Sequence, residues 1–260
     1  MTFVHMSGAG NCFLVADARS TLGTLLPEDV SSAIASHKRH DGLPVEGLLL
    51  LRKCSSYAVT ADFYNIDGTV GMMCGNGARC IVRFAADHGL SVKDNIDLTL
   101  NGMKFRAHIL SSDAVMIEFP APREVMFYAS GSLDQIDIDV WYVDVGSDHA
   151  VIAGPLDASR PVVGKLRRHP RFPLGANVNM VEADGQTLHV ATFERGVEAV
   201  TGACGTGALS CAVAAWSANH TQTAFTVIPP SGRRLTIELH IADDTIAHMT
   251  LTGDALYDNP

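Results

Sequence analysis

Residues 74–78 read Cys-Gly-Asn-Gly-Ala, and residues 204–208 read Cys-Gly-Thr-Gly-Ala. These two near-copies of one motif lie half a chain apart in a protein of 260 residues. Each motif continues into an Ala- and Val-rich stretch of helical character, over residues 79–86 and 209–218. The repeat predicts two similar domains, each with one thiol at the start of a helix.

The rest of the pattern is rich in strands. Short alternating or apolar segments separated by turn signals surround both motifs, which favours mixed α+β domains over alternating βαβ units. The stretch Pro120-Ala121-Pro122 interrupts this pattern. We predict an α+β protein of two domains, 1–118 plus 250–260 and 119–249, each with strands wrapped around a central helix. A further helix is predicted at residues 27–37, and the basic stretch 165–168 is predicted to be a solvated turn.

Composition excludes several function classes. The chain is 47% hydrophobic and 18% charged, with a net charge of -9 and a pI near 5.6. An acidic chain without a long basic run argues against nucleic-acid binding. No apolar stretch approaches the roughly 20 residues that cross a bilayer, and the first residues do not resemble a signal peptide. We therefore expect a cytoplasmic protein with reduced thiols, and no membrane partner.

The other cysteines carry less information than Cys74 and Cys204. Cys80 and Cys211 fall inside the predicted helices and are expected in the core, whereas Cys12 and Cys54 belong to no motif. Structural disulfides are not expected in a cytoplasmic protein of this size. No Cys-x-x-Cys pair is present, so no metal site is predicted. The motifs also lack the third glycine of a dinucleotide fingerprint.

Two thiols at helix N-termini have a specific chemical use. The unpaired N–H groups there stabilise a thiolate and can hold a carboxylate, and the neighbouring glycines allow a ligand to approach the backbone. One thiol could take a proton from one face of a carbon while the other returns a proton to the opposite face. The motifs thus indicate a cofactor-free racemase or epimerase, in which the pKa values of the two thiols belong to the pair.

At this point the chain resembles the diaminopimelate epimerase family over nearly its whole length. Six segments carry the resemblance, in the order that the family has them. They are 8–13 (GAGNCF), 64–69 (YNIDGT), 73–80 (MCGNGARC), 175–179 (GANVN), 193–196 (FERG) and 203–208 (ACGTGA).

The resemblance implies two pseudo-symmetric α+β domains with the active site in the cleft between them. It also implies interconversion of LL- and meso-diaminopimelate without pyridoxal phosphate or another cofactor, on the route to lysine. Cys74 and Cys204 would be the acid/base thiols. The residues that would bind the small amino-acid substrate are Asn11, Asn65, Gly75, Asn76, Ser147, Asn177, Glu194, Arg195, Gly205 and Thr206. The one protein partner that we expect is a second copy of the chain, in a homodimer.

This chain departs from the family pattern at several positions. Residues 147–149 read Ser-Asp-His where the family usually has Asn-Pro-His, so Ser147 offers a hydroxyl in place of an amide. Val70 and Met72 stand where acidic residues usually precede the first catalytic cysteine, and Val200 replaces a Glu before the second. Glu198 is a candidate to compensate for that missing Glu. Two alternatives stay open: a racemase of another polar amino acid, and a thiol redox or binding protein.

Overall fold

The computed structural model describes residues 1–21, 23–39, 44–71 and 73–258. Met72, one of the apolar residues before Cys74, lies outside this part of the chain. The chain divides into two compact units. Unit 1 comprises Met1–Glu118 and Thr252–Pro260, and unit 2 comprises Phe119–Leu251.

Unit 1 is a mixed sheet with two helices. The helices are α1 (Pro27–Ser36) and α2 (Gly75–Ala86). Its strands are β1 (Phe3–Gly8), β2 (Asn11–Asp17), β3 (Gly47–Cys54), β4 (Ala58–Asn65), β5 (Ile96–Leu100), β6 (Met103–Ile109), β7 (Ala114–Pro120) and, at the end of the chain, β16 (Leu256–Tyr257). They hydrogen-bond in the order β16-β1-β2-β3-β4-β5-β6-β7.

Unit 2 has the same kinds of element. Its helices are α3 (Pro161–Arg167) and α4 (Gly205–Asn219). Its strands are β8 (Glu124–Tyr128), β9 (Val140–Asp144), β10 (Asp148–Ala153), β11 (Asn177–Asp184), β12 (Thr187–Phe193), β13 (Ala224–Ile228), β14 (Leu235–Ala242) and β15 (Thr245–Asp254), whose residues from 252 onward belong to unit 1. The order is β15-β14-β13-β12-β11-β10-β9-β8.

The strand pairing of unit 1 is repeated in unit 2. From β1 to β6, successive pairs are antiparallel, parallel, antiparallel, parallel and antiparallel, and the same sequence of pairings runs from β9 to β14. The helices occupy matching places, because α1 and α3 precede the third strand of each series and α2 and α4 precede the fifth. The predicted α+β class, with two similar halves, is confirmed.

The minor helix of each unit covers one side of its sheet. In unit 1, Val30 and Ile34 of α1 pack with Leu14, Leu48 and Leu50 of β2 and β3. In unit 2, Val163 and Leu166 of α3 pack with buried residues of β10 and β11. The prediction of a solvated turn at 165–168 was therefore wrong in part: these residues end a helix whose Leu166 is fully buried, while Lys165 and Arg168 are exposed.

The central helix of each unit packs against most of the strands of that unit. Helix α2 contacts five strands of unit 1, and α4 contacts the six strands β9 to β14 of unit 2. Cys80 and Cys211 are fully buried on these helices, and burial raises the pKa of both thiols, so both stay protonated core groups, as predicted. All six cysteines are free thiols. In the described part of the chain, no helix is long and apolar enough to cross a membrane.

Candidate active site

Cys74 and Cys204 are the N-cap residues of α2 and α4, as predicted. Both have extended backbones, with φ and ψ of -117° and 107° for Cys74 and of -118° and 113° for Cys204. Each sulfur accepts a hydrogen bond from the backbone N–H three residues later, Gly77 in α2 and Gly207 in α4, at 3.4 Å in both. Each thiol therefore takes the place of the Ser, Thr or Asp side chain that usually caps a helix.

The residues after each cysteine form the first helical turn. Gly75 and Asn76 begin α2, and Gly205 and Thr206 begin α4. N–H groups in a first turn have no partner inside the helix, and the helix dipole makes this end positive. The arrangement can therefore hold an anion beside each sulfur. The assignment of these four residues to a substrate carboxylate stays a prediction.

Two glycines allow other backbone and side-chain atoms to approach these turns closely. A Cβ on Gly8 of β1 would lie 2.7 Å from the carbonyl oxygen of Asn76. A Cβ on Gly207 would lie 2.5 Å from Oδ1 of Asn179 and 2.6 Å from Oγ1 of Thr192. Such distances leave no room for a side chain, so both positions require glycine. The N-terminus of each central helix is thereby held against a fixed part of its own sheet.

A buried arginine supports the motif of unit 1. The Arg79 side chain is fully buried, and its Nη2 donates to Oδ1 of Asn76 at 2.8 Å. Its Nη1 donates to the carbonyl oxygen of Gly75 at 3.2 Å, and Nε to that of Asp254 at 3.1 Å. Burial lowers the pKa of Arg79, and attraction to the Cys74 thiolate is one of the interactions that oppose this shift. The sequence analysis did not identify Arg79, although an arginine inside an Ala- and Val-rich helix was a usable signal.

The two asparagines predicted for unit 1 lie at strand ends. Asn11 is the first residue of β2, is buried, and pairs with Gly8 across the β1–β2 hairpin. Asn65 is the last residue of β4 and is exposed, and its Nδ2 donates to Oγ1 of Thr69 at 2.9 Å. Gly8 packs on Asn76, so Asn11 lies close in the fold to the first turn of α2. The binding roles of both asparagines stay predictions.

Glu194 interacts with the second cysteine. Its Oε1 accepts a hydrogen bond from Oγ1 of Thr201 at 2.7 Å, and its carboxylate also hydrogen-bonds the Cys204 thiol. Burial first, and then the Glu194 charge, raise the pKa of Cys204 well above its usual value, although Thr206 and the Gly207 N–H act in the opposite direction. Burial likewise raises the pKa of Glu194. The local environment therefore favours a protonated Cys204.

Glu198 does not serve as the carboxylate near Cys204. It accepts hydrogen bonds from Arg167 at 2.9 Å and from Arg168 at 2.9 Å, and the Arg167 guanidinium lowers its pKa. The residue has a φ of 57°, in the left-handed region, within the turn that follows Arg195. The idea that Glu198 compensates for Val200 is thus not supported, since Glu194 already provides a carboxylate at the thiol.

Ser147 belongs to a buried polar chain. Nδ2 of Asn179 donates to the carbonyl oxygen of Ala150 at 3.2 Å and to Nδ1 of His149 at 3.0 Å, while its Oδ1 accepts from Thr192 at 2.8 Å. Because Nδ1 of His149 accepts, its Nε2 carries the proton and donates to Oγ of Ser147 at 2.9 Å. Burial lowers the pKa of His149 to about 4, so the ring is neutral. The Ser147 hydroxyl proton remains available to a ligand.

The structure brings together Asn177 and Arg195, two of the residues predicted to bind substrate. The Asn177 side chain accepts from the backbone N–H of Arg195 at 2.9 Å and donates to the carbonyl oxygen of Asp148 at 3.0 Å. The guanidinium of Arg195 pairs with the Asp148 carboxylate at 3.1 Å. The Asn177 amide therefore fixes the backbone that carries this ion pair. Asp148 was missed as a site residue in the sequence analysis.

Among the described residues, no three His, Cys, Asp or Glu side chains form a group that could hold a metal ion.

Comparison with solved structures defines the class of fold. A PhzF-family phenazine biosynthesis protein from Bacillus anthracis superposes with a TM-score of 0.76 at 11% identity, covering 99% of this chain and 96% of that one. A hydroxyproline epimerase from Agrobacterium vitis, with bound trans-4-hydroxy-L-proline, gives 0.62 at 16% identity, covering 99% and 90%. The protein thus has the two-unit α+β fold found in PhzF-family proteins and hydroxyproline epimerase.

Sequence comparison identifies the family within that class. The family model described as diaminopimelate epimerase matches residues 3–118 and 141–256. The diaminopimelate epimerase of Pseudomonas syringae pv. tomato is 32% identical over 255 residues, which cover 92% of this chain and 91% of the relative. That of Chlorobaculum tepidum is 35% identical over 216 residues, 80% of each. The chain belongs to the diaminopimelate epimerase family, and the resemblance described above is confirmed.

Proposed function

We propose that this protein interconverts LL- and meso-diaminopimelate without a cofactor, as an isomerase of lysine biosynthesis. The proposal rests on one observation. This chain belongs to the family, and a cysteine thiol is the N-cap of each of its two central helices, with nearly the same backbone angles and the same hydrogen bond to sulfur. The substrate is a small amino acid.

The reaction needs two proton transfers and no change in oxidation state. One cysteine, as thiolate, takes the α-proton, and its sulfur becomes a thiol. The other cysteine, as thiol, gives its proton to the opposite face of the α-carbon and becomes the thiolate. The bonding pair left by the departing proton is delocalised into the α-carboxylate, whose added charge the first-turn N–H groups of α2 and α4 stabilise. The product leaves the enzyme with the two thiols in exchanged protonation states.

The remaining residues are proposed to hold the substrate. Amides of Gly75, Asn76, Gly205 and Thr206 would bind the reacting carboxylate. Asn11, Asn65 and Ser147 are polar groups suited to ammonium or carboxylate atoms. The side-chain amide of Asn177 is engaged by backbone groups, which suits a supporting role beside Arg195. Glu194 is proposed to act on Cys204, because its charge raises the pKa of that thiol and favours the protonated form.

Solvent isotope exchange tests the proposal directly. Reduced protein is incubated with LL-diaminopimelate in deuterated water, without added cofactor, and the product is analysed by mass spectrometry and chiral separation. We expect meso-diaminopimelate with one deuterium at the inverted α-carbon. If active, folded protein gives neither exchange nor meso product, the proposed function is wrong.

A second candidate is racemisation of another polar amino acid by the same two thiols. It is favoured by Ser147 and Asp148, which stand where the family usually has Asn and Pro. The same assay with a panel of polar amino acids distinguishes the two candidates, since the true substrate will show the highest kcat/KM. A cytoplasmic location and a homodimer stay predictions, and sedimentation of the purified protein would test the latter.

A further inference from the structure

Three polar side chains of unit 2 form a chain that ends at Arg195. The Tyr142 hydroxyl donates to Oδ1 of Asp148 at 2.6 Å, and Nη1 of Arg195 donates to Oδ2 of Asp148 at 3.1 Å. Tyr142 lies on β9 and Asp148 on β10, and these strands are paired in register next to the connecting turn. Burial and the hydrogen bond to Asp148 raise the pKa of Tyr142, so its hydroxyl remains a donor. The Asp148 carboxylate is thus held from both sides.

In the part of the chain that the structure describes, the Arg195 guanidinium is anchored through Nη1 alone. Besides Asp148, its Nη1 contacts the carbonyl oxygens of Leu174 at 3.1 Å and Gly175 at 2.9 Å. Within the described residues, Nε and Nη2 have no acceptor, and the side chain is 23% exposed. The Nε–Nη2 edge of a guanidinium is one of the geometries that bind a carboxylate with two parallel hydrogen bonds. Arg195 therefore presents a prepared edge to a ligand carboxylate.

Asp148 also keeps unused capacity. A carboxylate offers about four lone-pair positions, and the Asp148 side chain uses one for Tyr142 and one for Arg195. Its side chain is 24% exposed, so a ligand can reach the remaining positions. An anion and a cation 3.1 Å apart are thereby presented side by side. Such a pair matches a group in which an ammonium and a carboxylate stand on the same carbon.

We propose that Asp148 binds the distal ammonium of the substrate, while the distal carboxylate binds Arg195, whose role in holding substrate the family resemblance already implies. The inference rests on the proposed function and makes Asp148 the residue that selects for the second ammonium. A ligand with only one of the two distal charges uses only half of the pair and forgoes one charge-assisted hydrogen bond. The preference is therefore for a zwitterionic distal end.

Two analogues separate the two halves of this recognition. 2-Aminopimelate is diaminopimelate without the distal ammonium, and lysine is diaminopimelate without the distal carboxylate. Their inhibition constants against diaminopimelate turnover are measured for wild-type protein, for Asp148→Asn, and for Glu182→Gln. The last variant has the same change of charge at an exposed position on β11 and serves as the matched control.

We expect Asp148→Asn to raise the KM for diaminopimelate and the inhibition constant of lysine by about 10- to 100-fold, the effect of one charge-assisted hydrogen bond. The inhibition constant of 2-aminopimelate and the kcat for diaminopimelate should stay within about threefold. Glu182→Gln should change none of these values. In wild-type protein alone, 2-aminopimelate should bind at least about tenfold more weakly than diaminopimelate, which tests the proposal even if the Asp148 variant does not fold.

Two results would overturn the inference while leaving the proposed function intact. One is an equal loss for diaminopimelate, lysine and 2-aminopimelate in Asp148→Asn, which would assign Asp148 a structural role only. The other is wild-type-like binding of all three. Absence of diaminopimelate turnover in wild-type protein would instead contradict the proposed function itself.

Discussion

The N-termini of α2 and α4 have the same backbone but differ in their charged neighbours. Cys74 and Cys204 differ by only a few degrees in φ and ψ and accept equivalent hydrogen bonds. Behind Cys74, however, stands the buried Arg79 cation, whereas Cys204 hydrogen-bonds the Glu194 carboxylate. The cation favours a thiolate and the carboxylate favours a thiol. A repeated motif can therefore supply a base in one unit and an acid in the other, because its surroundings differ.

Removing either sulfur is the strongest test of this comparison. Cys74→Ala and Cys204→Ala should each lower epimerisation by about three orders of magnitude, within the range for loss of a general acid or base, since each thiol is assigned to one face of the carbon. Turnover of LL- and meso-diaminopimelate is measured for both variants. Cys54→Ala, at a partly exposed cysteine outside the motifs, should keep full activity. Full turnover in either motif variant would contradict the two-thiol assignment.

Acid should destabilise unit 2 through His149. Its pKa is about 4 in the folded protein and 6.5 in the reference state, so the unfolded chain takes up a proton first as the pH falls. Stability present above pH 6.5 is then lost progressively down to pH 4, by about 3 kcal/mol. Urea unfolding at pH 7 and pH 4.5 measures this loss. His149→Gln, already less stable at pH 7, should show a smaller pH dependence, and equal pH dependence in both proteins would refute the assignment.

His108 of unit 1 has a pKa shift in the opposite direction and serves as a control. Burial alone would lower the pKa of His108, but hydrogen bonds to Asp94 and Glu118 raise it. Its contribution to stability is therefore present below pH 6.5 and is lost as the pH rises through the folded value. His108→Gln should thus lose more stability at acid pH than at neutral pH, the reverse of His149→Gln.

The smallest expected effect concerns the reactivity of the two thiols. Iodoacetamide at pH 7 should alkylate Cys74 about tenfold faster than Cys204, because thiolates react and Glu194 opposes ionisation of Cys204. Peptide mass spectrometry measures both rates in one sample. Glu194→Gln should raise the rate at Cys204 and narrow the difference, while Glu182→Gln leaves it unchanged. Faster labelling of Cys204 than of Cys74 in wild-type protein would reverse the proposed roles.

The local features of the site could be predicted from sequence because they depend on neighbouring residues. A cysteine followed by Gly-x-Gly and an Ala-rich stretch specifies an N-cap and a helix, and both were found at the expected positions. The long apolar run at Leu48–Leu51 likewise reads as a buried strand, and all four leucines are fully buried. Helix α3 was missed because seven residues hold too few helical periods to be recognised. The repeat itself would have indicated it, since α3 occupies the place of α1.

Contacts made across the fold could not be predicted in the same way. Glu194 reaches Cys204 over ten positions because residues 195–198 form a tight turn with a left-handed Glu198. Asp148 meets Arg195 from 47 positions away, through the parallel pairing of β10 with β11 and the antiparallel pairing of β11 with β12. The family resemblance implied that Glu194 would bind substrate, and that role stays a prediction. Its actual neighbours depend on strand register, which sequence spacing does not specify.

The sulfur caps of the central helices have a spectroscopic consequence. An ionised sulfur is a stronger hydrogen-bond acceptor than a neutral thiol, so the amide protons of Gly77 and Gly207 will resonate further downfield when their own cysteine is charged. Each unit therefore contains a separate nuclear magnetic resonance reporter of its thiol. The two glycine signals together measure the fraction of enzyme that carries the thiolate at Cys74 and the fraction that carries it at Cys204. Since each form accepts one stereoisomer, both fractions can be measured without substrate.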